Sequence, residues 1–408
     1  MQFYKQFNNG LKLVINKMDA LMSVSLGVLV KTGSINEEKE ENGISHFIEH
    51  TMFKGTTSRT AFDISDGIDS IGAQINAFTS KEITCYYTKS TSEHLEKCIE
   101  ILSDIFFDSK FDEEELEKEK GVVIEEINMT EDAPEDLCLD LLAKGYYGDE
   151  GLGKTILGPI ENIKKFSKKD IYSYMDKYYT ADNVVISLAG NVDVEKTVKY
   201  IEDYFANRFS RLVSAKQYTS AKTYVNNLVK EKNIEQSHIA FCMPAFPILD
   251  KKADVFSLVN MVLGGGMSSR LFQTVREKLG LAYSVYSYPS SYKGSGAVEI
   301  YAGVNAKKCQ SAMDAIIDEV KLLKKDGITD KEFARGKEQL KSALIMSKEN
   351  TSSQMLLYGK HLLFSGQELD FENRINEISK LTLKDTFDVI SKTYDLSKMS
   401  SAVIKAKK

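Results

Sequence analysis

The chain has 408 residues, 42% of them hydrophobic and 27% charged, with a formal net charge of -6. Such a composition describes an ordinary globular protein with room for two or three domains. The acidic balance argues against a nucleic-acid binder, which would carry a basic stripe, and no apolar run approaches the length of a membrane span. Cys85, Cys98, Cys138, Cys242 and Cys309 stand far apart, with no Cys-x-x-Cys pair. They read as free thiols in a reducing compartment. The N-terminal residues lack the apolar stretch of a signal peptide, so the expected location is the cytoplasm.

Leu11–Asn16 and Met22–Val30 are rich in β-branched and aliphatic residues and predict two strands. A charged loop, Asn36 to Asn42, delivers a short helix containing His46 and His50. Thr60–Ile71 has helical periodicity. Gly72–Thr79 and Ile83–Thr88 predict an antiparallel pair with a short polar turn. Ser92 is placed to cap an amphipathic helix from His94 to Phe106. Phe111–Thr130 is acidic at its start and apolar later, as the positive end of a helix favours. Pro134 opens a helix to about Tyr146, and Gly158–Ile163 is a turn into a short helix. Val184–Gly190 predicts a strand and Val194–Phe205 a helix. Polar residues from about Ser210 to Ser237 read as a linker, although Tyr224–Val229 has strand character. The second half restarts with a strand, His238–Met243. Helices at Ala253–Leu263 and Ser268–Leu279, strands at Leu281–Ser287 and Gly296–Gly303, and a helix at Cys309–Leu323 follow. Several more helices run to about Tyr394, and Ser400–Lys405 closes as a strand.

The stretch that organises the chain is Gly43 to Phe53, which contains His46-x-x-Glu49-His50. Positions i and i+4 share a helix face, so the two imidazoles project one turn apart with Glu49 beside them. That spacing suits one zinc ion, with a carboxylate left over to act on its water. The bland alternative is a solvated polar stripe. Against it, two of only five His fall at ligand spacing, and Phe47, Ile48 and Phe53 are apolar. A zinc site needs a third protein ligand, and the motif alone does not name it.

The order His-x-x-Glu-His is the inverzincin signature. Here the chain resembles the insulinase/pitrilysin superfamily of zinc metallopeptidases, in particular its short processing-peptidase-like members, over nearly its whole length. The resemblance implies a third ligand in a downstream helix, matched by Glu126, and a further Glu two turns earlier, matched by Glu119. Glu125 competes with Glu126 by adjacency but points about 100° away on a helix. The resemblance also implies an α+β fold of two structurally similar domains, each an antiparallel sheet with helices packed on one side. Asn76, Ala77 and Phe78 match the family's substrate-binding edge strand, with Phe78 lining the pocket after the scissile bond; the alternatives are a turn or strand-end Asn and a core Phe. Arg276 and Tyr283, in a stretch beginning Gly264-Gly265-Gly266, match a pair that contacts the substrate and its reacting carbonyl. Their alternatives are a surface salt bridge and a core tyrosine. A phosphate loop at Gly264–Gly266 is disfavoured because the Lys and Ser/Thr of that motif are missing.

The two halves look alike. Ile71 to Phe78 mirrors Leu279 to Tyr286, and Phe111 to Leu116 mirrors Ile328 to Phe333. Carried forward, Glu119 falls on Gly336 and Glu126 on Ala343, and the second half has no His-x-x-Glu-His. The expected organisation is therefore a zinc-binding catalytic domain, 1–210, a linker, 211–235, and a metal-free domain, 236–408, that contributes to substrate binding.

The expected function is a zinc endopeptidase, with one zinc per chain on His46, His50 and Glu126. Glu49 is the expected general base and Glu119 orients a ligand. Arg276 and Tyr283 assist at the substrate, and extended peptide lies along Asn76–Phe78. The resemblance implies a homodimer, or a heterodimer with a related chain, closing as a clamshell. The rivals are a peptide-maturation subunit that needs a partner and a non-catalytic scaffold. A zinc deaminase is disfavoured, because no Pro-Cys-x-x-Cys is present.

Overall fold

The structure is a computed structural model that describes residues 2–209 and 221–407. In the first half β1 (Gln2–Gln6), β2 (Lys12–Lys17) and β3 (Ser23–Val30) precede α1 (Ile44–Met52) and α2 (Ala61–Asp69). The hairpin β4 (Gln74–Thr79) and β5 (Thr84–Thr91) leads to α3 (Leu95–Asp108), α4 (Glu113–Asp132), α5 (Pro134–Tyr147), α6 (Ile160–Ile163) and α7 (Lys168–Tyr178). Then come β6 (Val184–Gly190) and α8 (Val194–Tyr204). Two local readings change. Ser92 does not cap α3: its hydroxyl donates to the Met22 carbonyl at 3.2 Å, and the helix starts through a tight turn instead. Helix α7 escapes the sequence pattern, yet Ser167 and Asp170 close a capping box at its start.

The second half contains β7 (Asn227–Lys232), β8 (Gln236–Pro244), α9 (Ala253–Gly264), a π-helical stretch Phe272–Lys278, β9 (Ala282–Ser291) and β10 (Gly296–Asn305). It continues with α10 (Cys309–Asp326), α11 (Asp330–Ser347), α12 (Thr351–Ser365), α13 (Phe371–Lys380), α14 (Leu383–Thr393) and β11 (Ser400–Ala406). Of the expected linker, 211–235, the part up to residue 220 lies outside the described residues. Its later part forms β7, which starts three residues after the Tyr224 where strand character was expected.

The first sheet has strand order β1-β2-β6-β3-β5-β4 and the second β7-β11-β8-β10-β9. With β1 set aside, the two orders coincide strand for strand, so the repeat seen in the sequence is a repeat of topology. The two-domain α+β class therefore holds. Two details differ from the expectation. Each sheet contains one parallel pair, β2 with β6 and β7 with β11, because the chain returns to the sheet through a helical crossover. And each sheet is covered on both faces.

The second cover comes from the other half of the chain. In β3, Val24, Leu26, Val28 and Val30 point into the first core with Ile48, Leu102 and Tyr174. The alternate residues meet α12: Ser25 shares a hydroxyl hydrogen bond with Thr351 at 2.9 Å, and Ser187 of β6 donates to the Met355 carbonyl at 2.7 Å. The approach is close enough that a Cβ on Gly359 would stand 2.9 Å from Ser187 Cβ and Leu29 Cδ1. The second sheet receives α5 in the same way. Cys138 Sγ lies 3.5 Å from the carbonyls of His238 and Ala402, and Asn226 donates to the Gly145 carbonyl at 2.8 Å. The compact units are consequently the described residues of Met1–Ile127, Thr155–Gln217 and Met346–Leu369, and of Asn128–Lys154, Tyr218–Ile345 and Asp370–Lys408. Two continuous halves, 1–210 and 236–408, leave this exchange out.

In the second unit, Glu332 joins two stabilising roles. It receives both Arg270 Nε and Nη2 at 2.7 Å and closes a capping box with Thr329 at the start of α11. Arg270, with the Thr329 N–H, brings the Glu332 carboxyl from 4.5 down to about 2. A depressed carboxyl stabilises the fold above the unfolded value and loses that stabilisation as pH falls towards the folded one. Glu332→Gln should therefore cost about 2 kcal/mol at pH 7, after discounting for solvent at a partly exposed pair. Urea unfolding at pH 3 should show less than half of that difference.

Candidate metal centre

Helix α1 is set in place from its N-terminal end. Gly43 adopts a left-handed φ of 100°, and a Cβ there would meet the Leu157 carbonyl oxygen at 2.6 Å. The N–H groups freed by that turn are taken up by Glu37. Its carboxylate accepts from Gly43 N at 2.8 Å, Ser45 N at 2.9 Å and Asn42 Nδ2 at 2.9 Å. Glu37 is buried, and burial raises its carboxyl above the ordinary range although these donors pull the other way. Ile44, Phe47, Ile48 and Met52 anchor α1 in the core, with the Phe47 ring 5.7 Å from that of Phe166. The other face presents His46, Glu49 and His50.

Helix α4 brings the acidic partners. Leu116 and Val123 fasten it to the core, which turns Glu119 and Glu126, two turns apart, to one side. Glu126 Oε2 lies 3.6 Å from His46 Nε2 and 3.3 Å from His50 Nε2. Among the described residues, these three offer ligand atoms all within 4.8 Å of one another, and Glu125 takes no part. Zinc with ligands at about 2.0–2.1 Å sets neighbouring donors about 3.3–3.4 Å apart in a tetrahedron. Both His–Glu distances are close to that edge, so the donor set fits zinc.

The surroundings are polarised. Glu119, only 5% exposed, places Oε2 3.4 Å from His50 Nδ1 and receives Lys54 Nζ on Oε1 at 2.7 Å. His46 is 7% exposed, and burial, then the neighbouring His50, pushes its imidazole down to about 3, so at neutral pH the ring is uncharged and one of its nitrogens offers a free lone pair. Glu49 accepts the Thr79 hydroxyl on Oε2 at 2.6 Å. Burial raises the Glu49 carboxyl, against the opposing pull of Thr79 and His50.

Strand β4 ends its sheet, so the matched segment Asn76, Ala77 and Phe78 does lie on an edge strand. Asn76 Oδ1 accepts from Ala77 N at 2.8 Å. Phe78 is half-buried, with its ring 6.3 Å from that of Tyr87 and Lys360 Nζ 5.6 Å from its centroid. In the second unit Arg276, on the π-helical stretch, stacks its guanidinium 4.7 Å from the Phe272 ring and 5.1 Å from the Tyr283 ring. Tyr283 is 77% exposed, which excludes the core-tyrosine alternative. The structure thus brings the zinc-ligand candidates together, and brings Arg276 and Tyr283 together. Sequence reasoning missed Glu37, Lys54 and Thr79. All three act through partners that no local pattern reveals.

Residues 13–160 match the family described as insulinase (peptidase family M16), and residues 165–340 match the peptidase M16 inactive domain. Among relatives, the uncharacterized zinc protease YmxG of Bacillus subtilis is 44% identical over 92% of this chain and 91% of its own. An uncharacterized zinc protease of Rickettsia felis is 36% identical over 98% of this chain and 96% of its own. Among solved structures, a protease from Helicobacter pylori superposes with a TM-score of 0.92 at 22% identity, over 99% of both chains. A peptidase M16 inactive domain from Pseudomonas fluorescens gives 0.93 at 20% identity, over 100% of this chain and 98% of that one. These two likenesses speak for the fold. Among the described residues, no helix is long and apolar enough to cross a membrane.

Proposed function

This chain belongs to the insulinase family of M16 peptidases, and from that premise we propose that it is a zinc-dependent endopeptidase acting on peptides or short unfolded segments bound in extended form. The observation that carries the reading is the convergence of His46, His50 and Glu126 from two helices, with the Glu49 carboxylate beside them. Those three side chains would hold the metal, and a zinc ion bound there supplies Lewis-acid polarisation of water and of the scissile carbonyl. Glu49 takes the proton of the attacking water and returns it to the leaving amine. Glu119 fixes the His50 ring through Nδ1, and Lys54 fixes Glu119. The open side of β4 supports main-chain pairing with an extended peptide.

The substrate roles of Arg276 and Tyr283, and pairing with a second copy or a related chain, belong to the same proposal and rest on the family likeness. A cytoplasmic setting is supported by five free cysteines. The test is zinc content and cleavage of an unstructured peptide by the purified chain. About one zinc per chain together with cleavage supports the reading. Zinc without cleavage points to a subunit that needs a partner, and absence of zinc overturns the proposal.

A further inference from the structure

Glu49 stands in a chemically ambiguous position. It precedes one zinc-ligand candidate and follows the other by three residues on the same helix. A carboxylate on that face is itself a good zinc ligand. Bound to the metal, it would fill the position water needs and lose the lone pair a base uses. Yet among the described residues the converging donors are His46, His50 and Glu126, and Glu49 is outside that group.

What holds it outside is visible. Thr79 Oγ1 donates to Glu49 Oε2 at 2.6 Å, the short distance of a charge-assisted O–H···O hydrogen bond. Thr79 is well fixed for the task. It is the last residue of β4 and pairs with Thr84 across the hairpin. The turn beyond it is closed by Ser80 N to the Ile83 carbonyl at 2.8 Å and by Ile83 N to Ser80 Oγ at 3.1 Å. Strand alternation puts Thr79 on the face of Ile75 and Ala77, which pack on the core, while Phe78 faces the other way. The β-branched side chain adds a stiff χ1 to the rigid backbone.

We propose that Thr79 is a positioning residue that ties the Glu49 carboxylate to the sheet edge, keeping it a base rather than a fourth metal ligand. The inference rests on the reading of Glu49 as general base, and its test separates the two. Thr79→Val removes the hydroxyl at nearly constant shape, and Thr79→Ser keeps it. In the zinc-loaded full chain, Thr79→Val should lower kcat about 10- to 100-fold with little change in KM, and Thr79→Ser should restore most of it. In a Glu49→Gln background, Thr79→Val should cause no further loss, because the base that Thr79 positions is already absent. A readout independent of turnover is the visible spectrum of the cobalt-substituted protein, which reports coordination number. Thr79→Val should change that spectrum as Glu49 enters the coordination sphere, and the change should vanish in the Glu49→Gln background. Thr79→Ala serves if the valine variant does not fold. An unchanged cobalt spectrum, or a serine variant as impaired as the valine one, overturns the proposal. If the wild type cleaves nothing alone, the proposed endopeptidase activity of the lone chain falls, while the spectrum still decides whether Thr79 keeps Glu49 off the metal.

Discussion

Glu49→Gln should retain about one zinc per chain and lose activity by about 10³-fold in kcat, the scale of a lost general acid–base group. The substitution changes one oxygen to an amide nitrogen at constant shape. The remaining oxygen still accepts from Thr79, so the side chain keeps its place. Glu49 is not among the converging donors, so metal retention follows from the geometry. Only the capacity to take a proton is removed. Metal analysis alongside single-turnover cleavage of a peptide makes the distinction. A variant that cleaves within about tenfold of wild type would assign the proton transfer to another group. A variant that loses zinc would make Glu49 a ligand.

The second large effect is expected on stability. Glu37→Ala should destabilise the first unit by about 3–5 kcal/mol and lower zinc occupancy with it. Its carboxylate serves two backbone N–H groups at the start of α1 and the Asn42 amide, all in a buried setting. Each buried donor left without an acceptor costs about 1–3 kcal/mol. Glu37→Gln should do less harm, because its carbonyl oxygen replaces one acceptor while its amide NH₂ opposes an N–H donor. Urea unfolding followed by a probe in the first unit should rank alanine as worse than glutamine, and both as worse than wild type. Equal stability of all three would show that α1 does not depend on this carboxylate.

The sequence made some of this legible and hid the rest for physical reasons. His46, Glu49 and His50 are readable because helical period converts spacing into a shared face, and the same period pairs Glu119 with Glu126. The doubled topology is readable because strands and helices recur in one order. Helix α7 hides because its tyrosines and lysines give a weak apolar stripe. Its capping pair, Ser167 and Asp170, uses Asp where the commoner box has Glu or Gln. Glu37 lies in a charged loop that composition assigns to the surface, although the fold buries it. Lys54 and Thr79 are ordinary residues until distant segments arrive beside them. Met22–Val30 is legible as a strand, but its alternation of Ser25 and Gly27 with apolar residues reads as one open face and does not reveal that Thr351–Ser365 covers it.

That cover has a consequence for how the protein is made. Every candidate zinc ligand has been synthesised by residue 126, and the last strand of their sheet by residue 190. The helix that closes the back of that sheet begins at residue 351. At about 5–20 residues per second, the ribosome leaves the Ser25, Gly27 and Ser187 face open for roughly ten to thirty seconds. Contacts spanning 326 residues, such as Ser25 with Thr351, also make the closing step a slow, non-local one. A nascent chain, or a message cut short before Ser365, therefore carries the whole donor set without the second cover of its sheet.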